Sequence, residues 1–368
     1  MIRPLFLCGD VMTGRGVDQI LPHPGGPDLY EPVVDSALAY VALAERAHGA
    51  IAHPVDFAYI WGVALDELEA RQPAARIINL ETSITTSERA APKGINYRMH
   101  PANTGVLSAA RIDCASLANN HVLDWGNEGL NETLDSLADA GIRVTGAGRT
   151  LAEAEAPAIL DLGDQGRVLV FALAADDSGV PGEWAATPAK AGVNYIADFS
   201  SRTIERVRAT LSTYVRPGDV VVASVHWGAN WGYEIPDEHQ RFAHALIDTC
   251  GVDLVWGHSS HHVKAIEVYR GRAILYGCGD FLNDYEGISD DRDRYRGDLT
   301  MMYFPTLEPR SGELVSLELV PLLIRNFRLQ HPSAEDARWL VETLDRECHA
   351  FDGRVLRRAG RVMLEWSR

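Results

Sequence analysis

Val220-Val221-Val222-Ala223-Ser224-Val225-His226-Trp227-Gly228 is the stretch that decides the fold. Its apolar run is short and rich in valine, which suits a strand buried on both faces. It then stops on a histidine and a glycine. The same construction recurs along the chain. Residues 5–8 run into Gly9-Asp10, residues 76–80 into Glu81, and residues 114–117 into Ala118-Asn119-Asn120-His121. Residues 168–173 run into Ala174-Ala175-Asp176, and residues 253–256 into Gly257-His258. Residues 273–276 run into Gly277-Cys278-Gly279-Asp280.

Between these runs lie helical patterns over residues 56–71, 129–140, 201–214 and 237–249. Gly141 follows the second as a stop signal. Strand alternating with helix predicts a layered α/β fold. From about residue 296 the pattern changes to strands over 299–304 and 314–323, then a helix over 334–347. The expected organisation is one main domain over residues 1–325 and a C-terminal helical extension, 326–368, packed on it. Residues 290–298 alternate acids with arginines and read as a solvated loop covering the site.

Asp10, Glu81, Asn120, His226 and His258 all follow the carboxyl end of an apolar run. In an open α/β sheet those ends face the ligand crevice. Carboxylates and an asparagine carbonyl are hard oxygen ligands, and neutral imidazole suits zinc, manganese or iron. With His261 these residues are expected to hold one or two divalent ions (Mn, Zn, Fe, Mg or Ca). A pair needs a bridging carboxylate, for which Glu81 is the candidate. Two such ions polarise a substrate oxygen and generate hydroxide near neutral pH.

Composition bounds the rest. The chain has 368 residues, 46% hydrophobic and 23% charged, so it is globular rather than disordered or fibrous. Lys and Arg total 34 against 51 Asp and Glu, a net charge of -17. That balance excludes a general nucleic-acid binder and disfavours an anionic membrane surface. An acidic protein still binds an anion where metal ions sit. The five cysteines show no CxxC spacing, so they read as buried free thiols. No stretch approaches about 18 uninterrupted apolar residues, and the N-terminus reads as a strand rather than a signal peptide. A cytoplasmic protein with no membrane segment is expected.

Taken in order, Gly9-Asp10, Asn79-Leu80-Glu81, Ala118-Asn119-Asn120-His121, His226-Trp227-Gly228 and Gly257-His258-Ser259-Ser260-His261 resemble one family. It is the CapA branch of the calcineurin-like metallophosphoesterases, named for poly-γ-glutamate capsule synthesis. The resemblance covers about residues 4–285 and implies a four-layer αββα sandwich with a dinuclear metal site at the strand ends. It implies that Asp10, Glu81, Asn120, His226, His258 and His261 are ligands and that His121 is an acid/base group. Two departures stand out. Met12 occupies the histidine place of the usual Asp-x-His motif, and Glu81 sits in Asn-Leu-Glu rather than a Gly-Asp pair. One metal therefore loses a ligand or takes a substitute.

Other residues are candidates by type and position. Arg98, in Gly94-Ile95-Asn96-Tyr97-Arg98-Met99-His100-Pro101, has the bidentate geometry to clamp a carboxylate or phosphate. His100 and His262 are candidate second acid/base groups beside His121. Trp227, Trp231 and Tyr233 flank His226 as an aromatic wall for substrate. Asp280, Asn283 and Asp284 follow a further strand and are placed to support the ligands.

The leading functional expectation is metal-dependent epimerisation at a Cα next to a metal-bound carboxylate of a peptide. Stand-alone CapA-like chains resemble the peptide epimerases of lasso-peptide pathways. Metal ions stabilise the enediolate charge where it develops, and two flanking bases exchange the proton. The alternatives are phosphoester hydrolysis, a role in poly-γ-glutamate capsule synthesis, or a metal-stabilised binding module without catalysis. The expected partner is a peptide or small anionic substrate.

Overall fold

The computed structural model describes residues 3–32, 34–288 and 294–367. Part of the expected covering loop, residues 290–293, lies outside that set. The parallel strands are, in chain order, β1 (Asp10–Val11), β2 (Ile77–Leu80), β3 (Cys114–Ser116), β4 (Arg143–Thr145), β5 (Arg167–Ala175), β6 (Val220–His226), β7 (Leu254–His258), β8 (Arg272–Leu275) and β9 (Asp280–Leu282). The protein is a mixed α/β structure in which these strands make two sheets. One runs β9-β1-β2-β3-β4, parallel throughout. The other has β5-β6-β7-β8 parallel at its centre, with Tyr195–Ile196 and Ile266–Tyr269 at its edges and Ala158–Asp161 beside β5.

Side chains alternate across the second sheet with the strand period of two. Val168, Val170, Val220, Val222, Leu254 and Trp256 share one apolar cluster with Leu5, Leu7, Ile77 and Cys114 from the first sheet. Phe171, Leu173, Val221, Ala223, Val225 and Val255 point the other way. There they meet helices α2 (Ser201–Leu211) and α3 (Asp237–Cys250), through Val207, Leu211, Phe242 and Leu246. The far face of the first sheet, Ile78, Leu80 and Ala115, packs on α1 (Gly126–Asp139) through Leu130, Leu134 and Leu137. Burying both faces of both sheets explains why the runs in the sequence are continuously apolar rather than alternating.

The C-terminal part departs from the expected helical extension. Strands β10 (Leu299–Leu307) and β11 (Leu314–Arg325) pair antiparallel, and β10 continues the first sheet by bonding residues 5 and 7. Residues 326–368 then hold one helix, α4 (Ala334–Cys348), and also a hairpin of β12 (Gly353–Arg358) and β13 (Arg361–Trp366). β13 pairs with β11 through Glu318–Met363 and Leu319–Val362. The hairpin escaped the sequence reading because its strands are charged and half exposed, with only Val355, Val362 and Leu364 carrying an inward pattern.

The helical pattern over residues 56–71 also breaks in two, a single 3-10 turn at Tyr59–Trp61 and a helix at Ala64–Arg71. Gly62 between them has φ +45, and a Cβ there would lie 1.9 Å from the Leu329 carbonyl oxygen. Backbone approach explains Gly9 as well. A Cβ on Gly9 would stand 1.8 Å from the Gly279 carbonyl oxygen, which accepts the Asp10 N–H at 2.9 Å. The glycine is what lets β1 and β9 close, and so places Asp10 beside Asp280. Gly9→Ala should destabilise the fold by about 1–3 kcal/mol, the usual cost of overpacking. A thermal melt indistinguishable from the parent would contradict this reading.

Candidate metal centre

Sheet register brings the site together. Asp10 pairs with Asn79 on one side and Asp280 on the other. In the second sheet His226 pairs with His258. Glu81, Asn120 and His121 follow the ends of β2 and β3. The carboxyl ends of both sheets thus converge, as the crevice rule requires.

Asp10, Glu81 and His226 offer ligand atoms all within 4.8 Å of one another. So do Asp10, His261 and Asp280. Asp10 is common to both groups, whereas the sequence reading had given the bridging place to Glu81. The reason is position in the sheet. β1 lies between β2 and β9, so its carboxylate reaches both sides, while Glu81 sits beyond the end of β2. Asp280, expected only to support the ligands, lies among them. Met12, at the place of the missing histidine, is buried and its sulfur meets the Tyr285 hydroxyl at 3.7 Å. The oxygen on that side comes from Asp280 on the neighbouring strand.

Three carboxylates are therefore buried together, and among the described residues none is ion-paired with lysine or arginine. Their ionic partners are imidazoles: His258 for Asp10 at 2.8 Å, His261 for Asp280 at 2.7 Å, and His121 and His226 near Glu81 at 3.9 and 4.0 Å. Burial and the Asp10 charge hold the Glu81 carboxyl well above its usual range. Burial also raises Asp280. Burial opposes the charge on Asp10 too, but the His258 hydrogen bond and the two imidazoles outweigh it and hold Asp10 low. Burial, with the neighbouring imidazoles of His258, His121 and His261 adding to it, drives His226 down to about 3 against the pull of Asp10, so its ring is neutral.

Several buried ligating atoms have no hydrogen-bond partner: Asn120 Oδ1, both nitrogens of His226, and His258 Nε2. His258 shows why. Its Nδ1 donates to Asp10 Oδ1, which leaves Nε2 as the bare lone pair, the arrangement that fixes a ligating imidazole. Orphaned buried polar atoms are costly and rare. Buried carboxylates without cations are costlier still, unless they coordinate a metal. The donor set of carboxylates, imidazoles and an amide oxygen fits a divalent ion. This centre is thus able to hold metal, and the residues that would hold it are Asp10, Glu81, Asn120, His226, His258, His261 and Asp280.

Asn79 and Asn119 brace it. Asn79 Nδ2 donates to Asp10 Oδ1 at 2.8 Å and lies 3.4 Å from Glu81 Oε2. Asn119 Nδ2 donates to Asn79 Oδ1 and to the Leu80 carbonyl, and its Oδ1 accepts the N–H groups of His121 and Val122.

His121 is set apart from the ligands. Its Nδ1 is 2.6 Å from Asp124 Oδ2, which also accepts the Tyr97 N–H, and Asp124 pairs with Lys93 at 2.8 Å. Its ring stands edge-on to Tyr97 at 4.5 Å. Burial lowers the imidazole to about 4 against the pull of Asp124. Nε2 faces Glu81. Asp124 was missed in the sequence, although its spacing three residues after His121 was a usable signal. Lys93 offered none.

Other candidates are placed elsewhere. His100 Nδ1 caps the turn Pro101–Asn103 by accepting the Ala102 N–H at 3.1 Å. Arg98 donates to the carbonyls of Ser87 and Gly26 and lies over the Trp125 ring at 4.1 Å. Trp227 is buried core, stacked on His239 at 4.9 Å and bonded to the Tyr276 carbonyl. His262 accepts the Gly232 N–H at Nε2 and meets the Val263 carbonyl at Nδ1, so both ring nitrogens are committed to backbone. Its ring packs against Tyr295 at 4.5 Å, Tyr233 at 4.7 Å and Trp231 at 6.0 Å. Trp231 also lies 5.3 Å from His261, so of the expected aromatic wall Trp231 meets the centre and Tyr233 supports it. A cavity of about 660 Å³ opens beside His261, and Arg15, Asn230, Trp231 and Tyr285 are among the residues lining it.

Comparison with known proteins agrees with the motifs. Residues 4–285 match the family model described as bacterial capsule synthesis protein PGA_cap. The chain belongs to that family. A "probable polyglutamine synthesis accessory protein" of Mycobacterium tuberculosis is 46% identical over 361 residues, which is 98% of this chain and 94% of the relative. The "PGA biosynthesis protein CapA" of Bacillus subtilis is 27% identical over 287 residues, 77% of this chain and 64% of the relative. The "capsule biosynthesis protein CapA" of Bacillus anthracis is 23% identical over 280 residues, 76% of this chain and 59% of the relative. No helix among the described residues is long and apolar enough to cross a membrane.

The bracing residues give a direct check on the centre. Asn79→Ala removes no ligand but frees the Asp10 carboxylate. It should weaken divalent-metal affinity about 10–100-fold, the usual effect of losing a partner behind a ligand. Titration of the stripped protein with zinc or manganese measures it, and unchanged affinity would count against the geometry.

Proposed function

We propose that this protein is a metal-dependent hydrolase that acts on a chain built from glutamate or its amide, in the accessory role that its relatives' names describe. The observation that carries the reading is His121. It is held by Asp124 at 2.6 Å and presents Nε2 toward Glu81, beside the orphaned ligating atoms. The back-to-back sheets with helices outside them support, as part of the same reading, the αββα sandwich of metallophosphoesterases. A cytoplasmic location belongs to it too, supported by five free thiols.

An ion or ion pair bound at the centre supplies Lewis acidity and a nucleophile at neutral pH. The remaining work falls to the chain's own groups. His121 starts neutral, with its Nδ1 proton donated to Asp124, so Nε2 is free to accept a proton. It takes that proton from the attacking water and returns it to the leaving nitrogen as the amide C–N bond breaks and the C–O bond forms. Asp124 stabilises the imidazolium in between, and Lys93 holds Asp124 in place at 2.8 Å.

Epimerisation needs a second base on the opposite face of the Cα. Of the two histidines that were candidates for it, His262 has both ring nitrogens on backbone groups and His100 caps a turn through Nδ1. That favours hydrolysis over epimerisation.

The test is incubation of the metal-loaded protein with oligomers of glutamate, α- and γ-linked, and of glutamine, followed by mass spectrometry. Shortened chains with no deuterium at Cα in deuterated water are expected. One deuterium gained at a Cα with no shortening would establish epimerisation instead. Phosphate release from model esters, with every oligomer left intact, would replace the reading by phosphoester hydrolysis. His121→Ala should cut turnover about 10²–10⁴-fold while keeping the metal content of the parent.

A further inference from the structure

We propose that the cavity beside His261 receives a substrate segment whose side groups are uncharged, so that the chain recognised there is of the glutamine type and not the polyanionic glutamate type. This rests on the reading above that the centre acts on such chains. The argument is a charge inventory of the cavity wall.

Four side chains of basic type line it among the described residues: Arg15, His48, His261 and Arg296, of which His261 stands 2.7 Å from Asp280. Each is already committed. Arg15 is buried, with Nε and Nη2 on Asp284 and Nη1 on Glu31 and the Tyr40 hydroxyl. Arg296 donates to both oxygens of Asp298 at 2.8 Å and to Asp336 at 2.8 Å. His48 stands 3.6 Å from Glu286, which also accepts the N–H groups of Asn326 and Phe327. Two guanidiniums and two imidazoles thus face six carboxylates, and Glu31, Glu286 and Asp298 themselves line the cavity. Among the described residues, a run of substrate carboxylates entering it would meet no spare cation, in a protein whose net charge is already -17. An anion desolvated without a partner is strongly disfavoured.

The rest of the wall is apolar or aromatic. Val34, Leu43, Ile95, Ile288 and Ile324 line it, with Tyr40, Trp231 and Tyr285. Ile95 and Ile288 are exposed at 42% and 39%, an apolar rim on an otherwise acidic surface. Such a slot matches the methylene stems of a chain with amide or apolar side groups. Carboxylate recognition is then confined to one group, the one that reaches the metal centre.

Glutamine and glutamate oligomers of equal length differ only in charge, which makes them the probe. Calorimetric titration of the metal-loaded His121→Ala protein measures binding without turnover. Oligoglutamine is expected to bind at least about tenfold more tightly than oligoglutamate, roughly the effect of 1.4 kcal/mol. Trp231→Ala should lower its affinity without changing bound metal. Ile95→Lys, an exposed position that tolerates a charge, should raise oligoglutamate affinity several-fold. Equal or tighter binding of oligoglutamate would overturn the inference and leave the hydrolase reading standing. Binding of neither oligomer would overturn it as well, and shortened chains in the turnover assay would still show that the hydrolase reading holds. Loss of turnover on every chain, with the oligoglutamine preference intact, would instead remove the hydrolase reading and keep the cavity assignment.

Discussion

Everything at this centre depends on placing several carboxylates out of water with no guanidinium or ammonium among the described residues paired to them. Asp10 sits where two sheets end, fully buried, with Glu81 on one side and Asp280 on the other. Burial, with the Asp10 charge adding to it, holds the Glu81 and Asp280 carboxyls up. The fold tolerates the arrangement because around it the core is large and continuous. Bound cations would relieve it. Metal binding and local stability would then be coupled, the ion compensating a cost that the apo chain carries.

The histidines divide their labour by what the second ring nitrogen holds. His258 gives Nδ1 to Asp10 and keeps Nε2 bare, which suits it to ligate a metal. His121 gives Nδ1 to Asp124 and turns Nε2 toward Glu81, which suits it to the proton transfer proposed above. His262 spends both nitrogens on the backbone, which makes it a strut for the loop that carries Trp231. By residue type alone all three are a histidine near a strand end, and only the family resemblance set His258 and His121 apart as ligand and acid/base group.

That comparison shows why some of the site was legible and some was not. Asp10, Glu81, His226 and His258 were found because each ends a buried strand, and strand ends are visible as the stop of an apolar run. The parallel strands and most helices were visible for the same reason. Asp280 was seen but undervalued, because its closeness to Asp10 comes from strand pairing across 270 positions, which no local pattern records. Arg98 and His100 looked chemical by residue type, but the chain between β2 and β3 uses them as a brace and a cap. The final hairpin was hidden because its exposed, charged strands lack the apolar run on which the recognised strands were read.

The pairing of β1 with β9 has a consequence for how the molecule is made. The first residue of the centre and one of its last lie nearly three-quarters of the chain apart, and His226, His258 and His261 come between. Contacts of such long sequence separation are slow to form and close late. A chain leaving the ribosome carries Asp10 from the start, yet cannot complete the ion site until Asp280 has emerged. An ion bound at this centre would therefore not be captured by an unfinished chain, and its acquisition would report that the sheet has closed.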